Sequence, residues 1–129
     1  MHPTIIKVNS HQFIKNLIAI RAQIGTKVKL CLPVKANGYG HGLLEIALSA
    51  EPYVDYLAVS CLEEGKSLIQ HHIRKPILVL GTFDDEQIPE LVANRLEVTI
   101  ASLEKPSCCL NFAHSSTLTV AYTLALTLA

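Results

Sequence analysis

The strongest constraint on the fold of this chain is an alternation: short apolar runs of strand length take turns with stretches whose apolar residues recur every three or four positions. KVKLCLPV (27–34), DYLAVS (55–60), PILVL (76–80) and LEVTI (96–100) are the strand candidates, and segments 43–50, 62–72 and 84–93 between them carry helical spacing. Runs this continuously apolar predict strands covered on both faces, as in a parallel sheet flanked by crossover helices. An α/β fold follows, either an open doubly wound sheet or a (β/α) barrel. Four such strands are about half of the roughly eight that close a barrel of this kind.

Upstream, IIKVN (5–9) reads as a further short strand. Ser10 then suits the N-cap of a helix whose apolar residues Phe13, Leu17, Ile20 and Ile24 follow at helical spacing until Gly25 ends it. With 129 residues, half of them hydrophobic, the chain has material for one ordinary core. Eleven Lys and Arg balance eleven Asp and Glu, and no basic block is present to neutralise a phosphate backbone, which argues against a nucleic-acid partner. No run approaches the roughly 18 apolar residues that span a bilayer, and the N-terminus lacks the apolar core of a signal peptide, so the expectation is a cytoplasmic chain without a membrane partner.

The four cysteines, Cys31, Cys61, Cys108 and Cys109, show no C-x-x-C spacing. Cys31 and Cys61 are expected as small reduced core residues, and no metal site is expected. Every Asp, Glu, Lys and Arg falls within residues 1–105, and none within 106–129. The chain therefore divides into an ordinary α/β part, 1–105, and a tail, 106–129, whose composition resembles translation out of frame. Within the tail, LTVAYTLALTLA (118–129) alternates at period two and reads as one strand or an aggregation-prone arm.

One segment carries chemistry. Lys35 directly follows the first apolar strand, where a barrel presents its reactive groups. Pro33, Val34 and Ala36 flank it and are expected to keep water from the amine, which favours the neutral form that attacks a carbonyl carbon. A lysine snorkelling from a strand end is the plainer reading of that position alone. Gly38, Gly40 and Gly42 alternate with Tyr39 and His41, letting the backbone bend tightly and leaving free N–H groups at the start of the next helix.

The full string VKANGYGHG (34–42) resembles the alanine racemase signature around the pyridoxal phosphate lysine, usually VKANAYGHG, with Gly38 in place of the usual alanine. DYLAVSCLEEG (55–65), KPILVLG (75–81) and LEVTIASLEK (96–105) look like successive strands of the same barrel, so the resemblance covers roughly residues 3–105. It implies a partial (β/α) barrel of the TIM type, with about half of the usual strands in a parallel sheet and helices outside. It also implies pyridoxal 5'-phosphate as cofactor, alanine as substrate, and L-to-D interconversion supplying cell-wall precursors.

Residue by residue, Lys35 matches the lysine that bonds the cofactor and serves as base for the D-enantiomer. Tyr39 matches a tyrosine near the cofactor phosphate, and Leu80 lies in the region that packs near the ring. The cofactor's ring is the electron sink for the carbanion left by the α-proton. The family's second base, a tyrosine in the carboxy-terminal domain of the other subunit of a homodimer, has no counterpart in this sequence. The departure from the family pattern after Lys105 predicts a frame that is truncated or shifted there. Unpaired sheet edges then predict self-association or aggregation. The alternatives are an inactive racemase fragment or pseudogene product without turnover, and a related barrel-type pyridoxal phosphate-binding protein.

Other candidates read as structural. Adjacent His71 and His72 point about 100° apart on a helix and suit the surface. His41 suits a cap at its helix start. Glu63 and Glu64 fit the first turn of a helix through its dipole, with no catalytic role required.

Overall fold

In the computed structural model, which describes residues 4–100 and 120–121, the apolar runs become strands that pair in parallel with their neighbours in sequence. They are β1 (Cys31–Pro33), β2 (Tyr56–Val59), β3 (Ile77–Val79), β4 (Glu97–Thr99) and β5 (Val120–Ala121), in the spatial order β1-β2-β3-β4-β5. The register runs Leu32 to Leu57, Leu57 to Ile77, Val79 to Val98 and Val98 to Val120. A doubly wound sheet reverses its strand order at a switch point. This one never reverses, so its winding is that of a (β/α) barrel, present here in part. β5 falls inside the run expected as a strand at 118–129, and the rest of 101–129, Cys108 and Cys109 included, lies outside the described residues.

Helices stand between the strands. They are α1 (Ser10–Ile24), a five-residue turn α2 (Lys35–Tyr39), α3 (Leu43–Ala50), α4 (Leu62–Gln70) and α5 (Ile88–Ala93). α5 is led in by a 3-10 turn, Asp85–Gln87, where Asp84 and Gln87 form a reciprocal capping box. α4 stops at Gln70, two residues short of the expected end, because His72 takes a left-handed backbone with φ of 64°.

The two faces of the sheet differ. Leu32, Val34, Leu57, Val59, Ile77, Val79 and Val98 share the face packed under the helices, and all of them except half-buried Leu32 are at most 1% exposed. Burying a side chain of this kind contributes about 1.5–3 kcal/mol, so this layer holds the fold. On the other face lie Cys31, Pro33, Tyr56, Ala58, Leu78, Glu97 and Thr99, and only Ala58 is buried. Tyr56 donates a hydrogen bond across β3 to Glu97 at 3.2 Å. The expectation of two covered faces is therefore corrected: the inner face of a barrel is covered by the opposing strands of its own sheet, which a partial barrel does not supply.

Three further expectations change for related reasons. IIKVN is not a strand: β1 forms the sheet edge among the described residues, residues 5–9 have no neighbour to pair with, and Ile5 and Ile6 are exposed. Cys31 is exposed rather than buried, because it sits on the uncovered face of that edge strand. The N-cap of α1 is Asn9, whose side chain accepts from Gln12 N–H at 2.9 Å, and Ser10 is already helical. Along α1, Leu17 is buried and Phe13 packs against the core, whereas Ile20 points to solvent. No described helix is long and apolar enough to cross a membrane.

Candidate active site on the strand rim

Parallel strands end together, and the residues following β1, β2 and β3 form one rim: Lys35 after β1, Ser60 after β2, Leu80 and Gly81 after β3. The ladder continues to its end through Val34 N–H to Ala58 O at 2.8 Å and Leu80 N–H to Val59 O at 2.9 Å. Gly81 then donates to Ser60 O at 3.1 Å, and a Cβ at this position would stand 2.2 Å from that oxygen, so only glycine allows the approach. Lys35 and Tyr39 open and close the same turn, while Leu80 stands two strands away, about 10 Å along the rim at the usual strand spacing.

The turn itself is unusual. Ala36, Asn37, Gly38 and Tyr39 all have φ between 53° and 61°, a run of left-handed backbone containing three residues with a Cβ. Left-handed geometry costs roughly 1–2 kcal/mol per such residue, so the turn stores several kcal/mol that its surroundings must supply. Asn37 supplies part of it. Its carbonyl accepts from Gly40 N–H at 3.1 Å and Gly42 N–H at 3.0 Å, and its side-chain oxygen accepts from Leu43 N–H at 2.9 Å. The N–H groups expected to stand free at the start of α3 are thus in part already taken by the loop. Gly42, at φ of 97°, occupies backbone space that other residues rarely enter.

Glu64 supplies another part. Its Oε1 accepts from Asn37 N–H at 3.2 Å, and its Oε2 accepts from Ser60 N–H at 2.8 Å and from the Ser60 hydroxyl at 2.7 Å. Burial pushes this carboxyl's pKa up, but the hydrogen bonds from Ser60, Asn37 and Ala36 outweigh it and hold the group below its ordinary value. Reading Glu64 as a dipole residue of α4 missed this, since nothing in the local pattern foretells a bond to a backbone 27 residues away. Asn37 had a weak signal, the tolerance of Asn for left-handed backbone.

The predicted site residues are placed as follows. Lys35 is half-buried, and among the described residues it has no hydrogen-bond or ion-pair partner. Of its apolar neighbours only Val34 is buried, because Val34 turns under the helices, while Pro33 and Ala36 are exposed. Tyr39 is 59% exposed and Leu80 38%. A cavity of about 680 Å³ opens beside the turn, with Phe13, Leu32, Tyr39 and His41 among its lining residues; Lys35 and Leu80 do not line it. His41 turns its ring Nδ1 to the Gly38 carbonyl at 3.0 Å, a contact within the preceding loop, and α3 has no side-chain cap, so the expected cap is not formed. His71 and His72 are exposed.

The site offers, among the described residues, a primary amine without a partner and a phenol on the same turn, with an exposed apolar side chain on the same rim, and an amine of this kind can attack an aldehyde carbon. Among the described residues no cluster of three or more His, Cys, Asp or Glu side chains could hold a metal ion.

Comparison with known proteins agrees in sequence and in shape. The family profile described as alanine racemase, N-terminal domain, matches residues 8–126. The alanine racemase of Streptococcus pyogenes is 38% identical over 102 residues, which is 79% of this chain and 28% of that protein. Among solved structures, the Clostridium difficile 630 alanine racemase in complex with cycloserine superposes with a TM-score of 0.75 at 35% identity, covering 89% of this chain and 30% of that one. The Oenococcus oeni alanine racemase gives 0.75 at 33% identity, covering 86% and 32%. The chain thus spans under a third of the length of the relatives it matches.

Proposed function

We propose that this chain, which belongs to the alanine racemase family through its N-terminal domain, carries the cofactor-lysine half of a pyridoxal phosphate-dependent racemase acting on alanine. The observation that carries the reading is Lys35: an amine without a partner among the described residues, set by a strained turn at the carboxyl end of the first strand, inside VKANGYGHG.

In this reading Lys35 Nζ would hold the cofactor and would take or return the α-proton on one face of the amino acid. Tyr39 would bind the phosphate through its hydroxyl, and Leu80 would pack near the ring. When bound, pyridoxal phosphate supplies the electron sink that makes the α-proton removable. The left-handed turn sets Lys35 and Tyr39 at its two ends, four residues apart. A proton delivered to the opposite face needs a second group. Lys35 is the base that matches the family pattern within residues 1–129. D-alanine supply for the cell wall and a cytoplasmic setting follow from the same reading.

The test is direct. Pyridoxal phosphate added to the purified chain should give the visible absorption of lysine-bound cofactor, and Lys35→Ala should abolish it. Exchange of the alanine α-proton in deuterated water should stay at background for residues 1–129 alone. An unchanged absorption in Lys35→Ala would overturn the assignment of the lysine. Robust racemisation by this chain would overturn the division of labour.

A further inference from the structure

The left-handed turn that carries Lys35 is held only in part by its own hydrogen bonds. Its internal hydrogen bonds, from Gly38 N–H to Val34 O at 2.8 Å and from Gly40 N–H to Ala36 O at 3.1 Å, use carbonyls at its start and N–H groups near its end. The N–H group of Asn37, two residues after the lysine, is met from outside the turn by the Glu64 carboxylate. We propose that Glu64 is the positioning residue of this site: its carboxylate clasps the start of the turn to the end of β2 and so sets the direction in which Lys35 leaves the sheet. This rests on the reading of Lys35 as the cofactor lysine.

Glu64 divides its oxygens between two tasks. Oε2 serves Ser60 four residues upstream, through N–H and hydroxyl, which is ordinary stabilisation of a helix start. Oε1 serves Asn37, on a different strand connection altogether. A residue needed only to begin α4 has no use for the second bond, and Glu63, next to it in the first turn, is exposed. A carboxylate also matches the geometry better than its amide would. Every contact it makes is with a donor, so three donors converge on one acid group, the Asn37 N–H and the Ser60 N–H and hydroxyl, and an amide NH2 in the place of either oxygen would face an N–H group. Ser60 in turn accepts from Gly81, so the clasp joins the ends of β1, β2 and β3 into one connected rim.

The experiment compares the full chain with Glu64→Gln and Glu64→Ala by amide hydrogen exchange, without cofactor. Loss of a hydrogen bond to a charged acceptor should lower protection at Asn37 by about tenfold or more, while Leu57 in the sheet core keeps its protection. Capture of pyridoxal phosphate by Lys35 should slow by a comparable factor in Glu64→Gln. A uniform loss across all amides would overturn the proposal by showing a role in folding alone. Unchanged protection at Asn37, or an unchanged capture rate in a variant that has lost it, would overturn it as well. If the variants do not fold, the wild-type chain decides: a through-hydrogen-bond coupling between the Asn37 amide and the Glu64 carboxyl carbon is expected, and its absence would overturn the clasp. A wild-type chain that captures no cofactor would sink the reading of Lys35 instead, while the amide measurements still decide whether Glu64 holds the turn.

Discussion

The β1–β2 pair is tied by a carboxylate at each end, and the two ties differ in kind. At the entry end, Asp55 accepts from Leu30 N–H at 2.7 Å and pairs with Arg21, whose other nitrogen donates to Val28 O at 2.8 Å. At the exit end, Glu64 accepts from Asn37 and Ser60 with no cation beside it among the described residues. The first carboxylate meets an opposite charge and relaxed backbone. The second meets a strained left-handed turn, next to a lysine amine that pairs with nothing described. In barrels the entry end of the strands serves stability and the exit end serves chemistry. The difference shows how one local device, a carboxylate bridging two strands, serves either purpose according to what it holds.

Removing the layer both ends depend on has the largest expected effect. Leu57 is fully buried between β1 and β3, so Leu57→Ala should cost about 2–5 kcal/mol, read as a lower denaturation midpoint, with both ends lost together. If the exit turn survived that loss in hydrogen exchange, the two ends would not share a core. Ala36→Gly tests the strain at the exit end alone. Glycine takes φ of 53° without a Cβ penalty, so the variant should gain up to about 1 kcal/mol, the relief of left-handed geometry being partly offset by the freer unfolded chain. Clear destabilisation would mean that the turn is not strained.

The smallest effect is expected at the entry end, where Asp55 is solvent-accessible and its ion pair is screened. The Leu30 backbone hydrogen bond first, and Arg21 second, hold its pKa below the ordinary value. A carboxyl depressed in the folded state stabilises above its unfolded pKa of about 3.9, and that contribution is lost as pH falls through the lower folded value. Asp55→Asn should therefore be modestly less stable than wild type at neutral pH, with the gap closing in acid. A gap of equal size at both pH extremes would show that charge plays no part there.

Much of this was readable before any coordinates. Segments 43–50, 62–70 and 88–93 are helical where spacing placed them, because burial of one stripe at period 3.6 is a local property of the sequence. The four apolar runs became β1 to β4, each shorter than its run, since pairing requires a partner opposite every residue. IIKVN failed as a strand for that same reason: its composition suits one, but no neighbour lies beyond β1 among the described residues. Within the candidate site, Lys35 and Tyr39 could be picked out from a contiguous string, whereas Glu64 could not, being distant in sequence and ordinary in its local setting.

By itself the sequence determined the alternation of strands and helices, the family, and the lysine at the head of VKANGYGHG, all of which depend on residues near one another along the chain. Only the tertiary structure decided that the strands wind without reversal, that one face of the sheet stays open, and that Glu64 reaches the turn beside Lys35. Those depend on which backbone groups find partners across tens of residues, and a hydrogen bond of that range leaves no periodic trace in the chain that makes it.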